Sequence, residues 1–172
     1  MSTQNKLLPK YAFFIAGTGK HKDRLQAFDR ALLAAGPVAH NLVSVSSILP
    51  AECKIIPAGK GFRLLTPGQI TFCVMARQDT NQKRRIVSAA VGVAKTKASK
   101  EFGYISEYHG NASSKYTAEG AAKRLAVEML AKKLAIPPSQ LNLKFTKAVA
   151  ASIKQPGDDK WVCALALCVF VT

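Results

Sequence analysis

Acidic side chains are scarce in this chain: 10 Asp and Glu stand against 25 Lys and Arg in 172 residues, a formal net charge of +15. Such an excess attracts nucleic acid or an acidic membrane surface without any specific site. The basic residues are nevertheless scattered, with only local clusters at Lys20 to Arg24, Lys83 to Arg85, Lys95 to Lys100 and Lys132, Lys133, and scatter favours solubility over a binding stripe. Also missing are a helix-turn-helix, a zinc finger and an RNA-binding aromatic motif. A basic nucleic-acid-binding protein therefore stands as the alternative reading, with steep salt dependence as its signature and no specific nucleic-acid site. Long apolar runs are absent: the longest, Trp161 to Val171, has the alternation of a strand and is too short to span a bilayer. Met1 to Lys10 is polar, with no apolar core of signal-peptide length after it. The expectation is a cytoplasmic chain with no membrane partner.

Cysteine is sparse and badly spaced for chemistry. Cys53, Cys73, Cys163 and Cys168 show no C-x-x-C spacing and no nearby histidines, so they read as reduced core residues, neither metal ligands nor a disulfide frame. Gly17-Thr18-Gly19 lacks the third glycine of a dinucleotide fingerprint and the Gly-Lys-Ser/Thr of a P-loop, which leaves a tight turn. With 48% apolar and 8% aromatic residues, the length suits one core and a single domain over residues 1–172. No repeat or dividing linker is present.

The patterning that is there alternates strands and helices. Tyr11 to Ala16 is a buried strand by composition, stopped by the glycines that follow. Leu25, Phe28, Leu32 and Ala35 recur at helical spacing over Arg24 to Ala35, and Gly36-Pro37 ends that helix. Asn41 to Leu49 reads as one half-buried strand ending at Pro50. Further strands are expected at Ile55 to Ile56, Gln69 to Arg77, Arg85 to Ala94 and Gly103 to Tyr108. Thr117 can cap a helix whose Ala122, Leu125, Ala126, Met129 and Ala135 face the core, with Pro137-Pro138 as its stop. Leu141 to Lys154 and Lys160 to Thr172 make a closing hairpin around Gln155 to Asp159. The order suggests α+β with an antiparallel sheet covered by helices.

Taken singly, the reactive side chains are ambiguous. Ser46-Ser47 could be a polar step where a strand meets a loop. Glu107 has the ordinary fate of a carboxylate on the solvent face of a strand. Helical spacing from Leu25 and to Leu32 and Leu33 turns Asp29 toward the apolar side, where it would need a partner, yet a bridge to Arg24 or Arg30 or plain exposure serves as well. Asn41 after His40 could be a turn. His40 and His109 belong to no defensible triad and are left out of catalysis.

The ordered set changes that balance. Ala27-Phe28-Asp29-x-Ala31-Leu32-x-x-Ala35-Gly36, then Asn41-Leu42-Val43-x-Val45-Ser46-Ser47-Ile48-Leu49-Pro50, then Gly103-Tyr104-Ile105-x-Glu107-Tyr108-x-Gly110 resembles the pyruvoyl-dependent arginine decarboxylase family. The resemblance implies self-cleavage between Ser46 and Ser47 into a small β subunit, residues 1–46, and an α subunit, residues 47–172, with Ser47 becoming a covalent pyruvoyl cofactor. It implies decarboxylation of L-arginine to agmatine through a Schiff base, without a metal. By the same resemblance Glu107 donates the proton to the α-carbon, Asp29 receives the substrate guanidinium, and Asn41 polarises the scissile carbonyl. Ser46 supplies the new carboxylate at the substrate site. The implied fold is α+β, a four-layer αββα sandwich with antiparallel sheets. The implied partner is the chain itself, as a homotrimer or paired trimers with active sites between protomers. An unprocessed relative, or one acting on another cationic amino acid, remains open, since a basic surface opposes approach of a cation.

Overall fold

The computed structural model describes residues 7–98 and 100–172. Nine strands and three α-helices run in the order β1 (Tyr11–His21), α1 (Arg24–Ala35), β2 (Asn41–Ser44), β3 (Ile48–Leu49), β4 (Lys54–Ile55), α2 (Ala58–Phe62), β5 (Ile70–Thr80), β6 (Ile86–Thr96), β7 (Gly103–Gly110), α3 (Lys115–Lys133), β8 (Leu143–Lys154) and β9 (Trp161–Val171). The strands form two sheets, ordered β2-β5-β9-β1-β4 and β3-β7-β6-β8. Helices α1 and α2 cover the outer face of the first sheet, and α3 covers the outer face of the second. The result is a four-layer αββα sandwich. The second sheet is antiparallel throughout, whereas the first carries two short parallel pairs, β1 with β4 and β2 with β5, at its edges.

Three apolar seams hold the layers. Phe14, Val74, Ala76, Val91, Val93, Ile105, Ala164 and Ala166 fill the space between the sheets. Phe13, Ile15, Ala27, Ala31, Leu165 and Leu167 lie under α1. Alanines 90, 118, 122 and 148, with Leu130 and Ala126, join α3 to the second sheet. Such small residues bring backbones close, and glycines complete the approach. A Cβ on Gly17 would stand 2.3 Å from the Ala31 carbonyl oxygen, and one on Gly19 would stand 2.0 Å from that of Ala27. The expected turn at Gly17 to Gly19 is therefore incorrect: β1 continues to His21, and the glycines admit α1.

Helix α1 occupies the expected range, capped by Asp23, whose side chain accepts from the Gln26 N–H at 2.9 Å. Of its expected core face, Phe28, Leu32 and Ala35 pack against the sheet half-buried, and Leu25 does not. Ala27 and Ala31 are buried, while Leu25 and Leu33 are 70% and 64% exposed. For α3 the cap is Ser114, not Thr117: its Oγ accepts from the Thr117 N–H. The inner face of α3 is Ala118, Ala122, Ala126 and Leu130, while Met129 is exposed and Ala135 lies beyond the helix at φ 55. The β8–β9 hairpin closes around buried Gln155, whose Oε1 accepts from Gly157 and Arg84 N–H groups and whose Nε2 donates to the Lys160 carbonyl. Among the described residues no helix is long and apolar enough to cross a membrane.

Candidate active site

The stretch read as one strand over Asn41 to Leu49 is two strands in different sheets. β2 pairs with β5 in the first sheet and β3 pairs with β7 in the second, and the chain crosses between them through residues 45–47. The Val45 N–H donates to the Cys73 carbonyl at 2.9 Å, on the first sheet. The Ile105 N–H donates to the Ser47 carbonyl at 2.7 Å, on the second. The Ser46–Ser47 peptide bond thus spans the gap between two separately anchored flanks. Ser46 is exposed and Ser47 half-buried.

The register Ile48↔Tyr104 and Leu49↔Gly103, extended by that hydrogen bond, sets Ser47 opposite Ile105. Ile105 faces the other sheet, so the period-2 alternation puts Glu107 and His109 on the same side of β7. Glu107 Oε2 lies 3.2 Å from His109 Nε2, and His109 Nδ1 reaches the backbone of Arg77 on β5, 3.2 Å from its carbonyl oxygen and 3.3 Å from its nitrogen. The hydrogen bond to Glu107 raises the His109 pKa, against partial desolvation, with the Arg77 backbone contributing in the same direction. A protonated ring donates to both acceptors at once. His109 was excluded from the chemistry at the sequence level for want of a triad; the signal that could have found it is the i, i+2 spacing from Glu107 on one strand face.

Two other expected residues do not meet Ser47 within the chain. Asp29 is exposed on α1, and α1 covers the outer face of the first sheet, so that sheet separates it from the inter-sheet side of β7. The apolar flank expected for it is solvent-facing, because the helix buries its alanines and turns Leu25 and Leu33 outward. Neither Arg24 nor Arg30 pairs with it: Arg24 binds Asp79 and Arg30 donates to the Lys20 carbonyl. Asn41 begins β2 and donates its side-chain amide to the Gly68 carbonyl at 2.8 Å. Four residues separate it from Ser46, and β2 alone, from Asn41 to Ser44, carries the chain roughly 10 Å along the sheet before the crossover.

The sequence reading also missed Asp79. Its side chain is only 5% exposed and accepts from Arg24 and, at 2.9 Å, from Arg77 Nε. Arg77 in turn stacks over Phe28 at 4.1 Å. Arg77 and Asp79 share a strand face at i, i+2, which is the available sequence signal. The four cysteines are free and buried, and burial pushes the Cys53, Cys73 and Cys163 thiols up to about 11. They are poor nucleophiles at neutral pH. Among the described residues no three His, Cys, Asp or Glu side chains converge as a metal site.

Comparison with known proteins gives one answer. A family model described as pyruvoyl-dependent arginine decarboxylase matches residues 11–172. The chain is 47% identical over 130 residues to the pyruvoyl-dependent arginine decarboxylase of Methanococcoides burtonii, covering 76% of this chain and 72% of the relative. It is 44% identical over 154 residues to pyruvoyl-dependent arginine decarboxylase 2 of Archaeoglobus fulgidus, covering 86% and 97%. With pyruvoyl-dependent arginine decarboxylase 2 of Methanosarcina mazei the identity is 38% over 180 residues, covering 96% and 98%.

Proposed function

The chain belongs to the pyruvoyl-dependent arginine decarboxylase family, and from that premise we propose that it cuts itself between Ser46 and Ser47 and converts L-arginine to agmatine and carbon dioxide. The observation that carries the reading is the inter-sheet span of that peptide bond, with a backbone hydrogen bond to a different sheet on either side. A bond held at both flanks presents its carbonyl to a neighbouring hydroxyl with little freedom to retreat, and the severed ends keep their sheets. The Ser47 hydroxyl attacks the Ser46 carbonyl carbon, replacing the peptide C–N bond with an ester and freeing the Ser47 amine. Loss of the Ser47 α-proton with scission of its Cβ–Oγ bond leaves the Ser46 carboxylate and a dehydroalanine end. Water then replaces the nitrogen, released as ammonia, and a ketone remains. The subunits are residues 1–46 and 47–172.

The pyruvoyl group supplies an electron sink for the pair released with carbon dioxide. The residues around it do the positioning and the proton transfer. Glu107 passes the substrate α-carbon its proton, from the side of β7 that Ser47 faces and with His109 3.2 Å from its carboxyl oxygen. In one protomer the Glu107 side chain is 32% exposed, which leaves it open to the substrate and to contact with a neighbouring copy. Asp29 serves the guanidinium of arginine across that contact, since a carboxylate accepts two parallel hydrogen bonds from the planar fork. Asn41 aids processing from the same rim through its amide donor.

The assembly we propose is a homotrimer or a pair of trimers. It is supported by the exposed Leu25 and Leu33 four residues either side of Asp29, and by Ile70, 65% exposed and paired with Asn41. Exposed apolar side chains grouped around polar ones mark protein contacts. The four unpaired thiols suit a cytoplasmic setting. Incubation with carboxyl-labelled L-arginine tests the function: the expected result is agmatine and labelled carbon dioxide in equal amounts, with Glu107→Gln still cut in two but inert. Unconsumed arginine sinks the reaction, and wild-type turnover by the variant removes Glu107 from it.

A further inference from the structure

At the opposite edges of the two sheets from the Ser46–Ser47 crossover, β4 and β8 leave an open cleft of about 570 Å³. Lys54 stands on one wall and Lys95, Lys144 and Lys147 on the other, and no acidic residue lines it. Pairing of β6 with β8 explains the concentration of charge. Val93 faces Lys147 and Lys95 faces Phe145, but the register shifts before Thr96, which pairs with Leu143. Lys144 is the unpaired residue of that irregularity, and a bulge of this kind re-aims a side chain that regular pleating would send to the other face. Lys95 Nζ donates to the Cys53 carbonyl at 3.2 Å, and the Lys147 ammonium lies 5.8 Å from the centre of the Phe14 ring. Among the described residues none of the four forms an ion pair. Apolar surface from Ile55 and Phe145 completes the walls.

Four lysines line one cleft of about 570 Å³, and their charges act jointly on an ion that enters it, because screening falls off over a Debye length of about 8 Å at physiological salt. Their field repels the cationic substrate and any cationic product. It favours an anion that carries several charges in a small volume, and the cleft volume is that of small-molecule sites, about 300–1,000 Å³. A cleft between two sheet edges also differs from the extended stripe that tracks a nucleic-acid backbone. We infer that this cleft is a binding site for a small phosphate-bearing molecule, separate from the decarboxylation site. The shared chemistry is a polyphosphate, taken either as the inorganic ion or as the phosphate chain of a nucleotide whose base lies against Phe145. A ligand bridging β4 and β8 ties the two sheets at an edge that no backbone pairing closes.

The test is isothermal titration calorimetry of the full chain at physiological salt with tripolyphosphate, ATP and adenosine. Lys144→Ala/Lys147→Ala is compared with wild type and with Lys132→Ala/Lys133→Ala, which removes an equal charge from the end of α3. The expected result is saturable binding of tripolyphosphate or ATP, weakened roughly tenfold or more by the cleft pair and unchanged by the control pair. Lys54→Gln, on the facing wall, should weaken binding independently. ATP binding more tightly than tripolyphosphate identifies nucleotides as the source, and equal affinities identify the inorganic ion. No saturable binding by either, or equal losses in the cleft and control pairs, overturns the site.

Discussion

Replacing Gly92 by alanine is a direct test of how α3 is seated and, through it, of what positions Glu107. Gly92 lies mid-β6 beneath α3, where a Cβ would come within 2.5 Å of the backbone carbon and oxygen of Ala122 and 2.9 Å of the Lys123 nitrogen. Backbone atoms cannot rotate aside, so α3 must retreat by roughly 1 Å to restore ordinary contact. Overpacking of this kind costs about 1–3 kcal/mol. The Ser106 hydroxyl, which donates to the Ala122 carbonyl at 2.6 Å, loses its partner in the same movement, adding about 0.5–1.5 kcal/mol. A total of about 1.5–4.5 kcal/mol with a urea slope of roughly 2 kcal/mol/M lowers the midpoint by about 0.8–2.3 M. Gly92 pairs with Ser106 and Val91 with Glu107, so the displacement reaches the residue beside the proposed acid, and turnover should fall along with stability. Urea unfolding followed by circular dichroism measures the first effect and labelled carbon dioxide release the second. A wild-type midpoint would refute the close seating of α3 on β6.

Asp29→Ala should raise KM for arginine by about 1.5–3 kcal/mol in binding terms, the usual range for a hydrogen bond to a charged group, while leaving chain cleavage intact; an unchanged KM rejects the guanidinium role. For His109 the folded-state pKa is raised by its bond to Glu107, so its stabilisation is full below the unfolded value of about 6.5 and is lost as pH rises through the folded value. Its side chain is 42% exposed, and solvent screening keeps the effect below about 1 kcal/mol. His109→Gln should therefore narrow its stability deficit as pH rises from the unfolded value of about 6.5 through the raised folded value, and a deficit independent of pH counts against the hydrogen bond to Glu107.

Local signals carried much of the fold. Helix α1 was legible because Leu25, Phe28, Leu32 and Ala35 recur at helical spacing and Gly36-Pro37 stops it, and the β8–β9 hairpin because Pro156-Gly157 breaks both strands. The β6 strand was readable from Val87, Ala89, Val91 and Val93, all of which face the other sheet. What escaped depended on tertiary partners. Gly17 and Gly19 carry the same letters whether they turn a chain or admit a helix, and only the path of α1 decides. For Asp29 the apolar side and plain exposure were both open, and exposure is what the fold gives, because Leu25 and Leu33, which drew it inward, themselves face solvent. The break of Asn41 to Leu49 into two sheets left no mark in a run of alternating serines, although Ser46-Ser47 sits at that break. Glu107 and Ser47 were found only through the ordered resemblance, while His109 and Asp79 acquire their meaning from neighbours two residues away on a strand.

Scission of the bond between Ser46 and Ser47 is tested most directly by intact-mass measurement of the freshly purified chain under denaturing conditions. The wild type should give fragments 1–46 and 47–172, the second with a pyruvoyl mass at its N-terminus, and Ser47→Ala should give one uncut chain. A wild-type chain that stays whole after long incubation, or a Ser47→Ala chain that still divides at the same bond, contradicts the account.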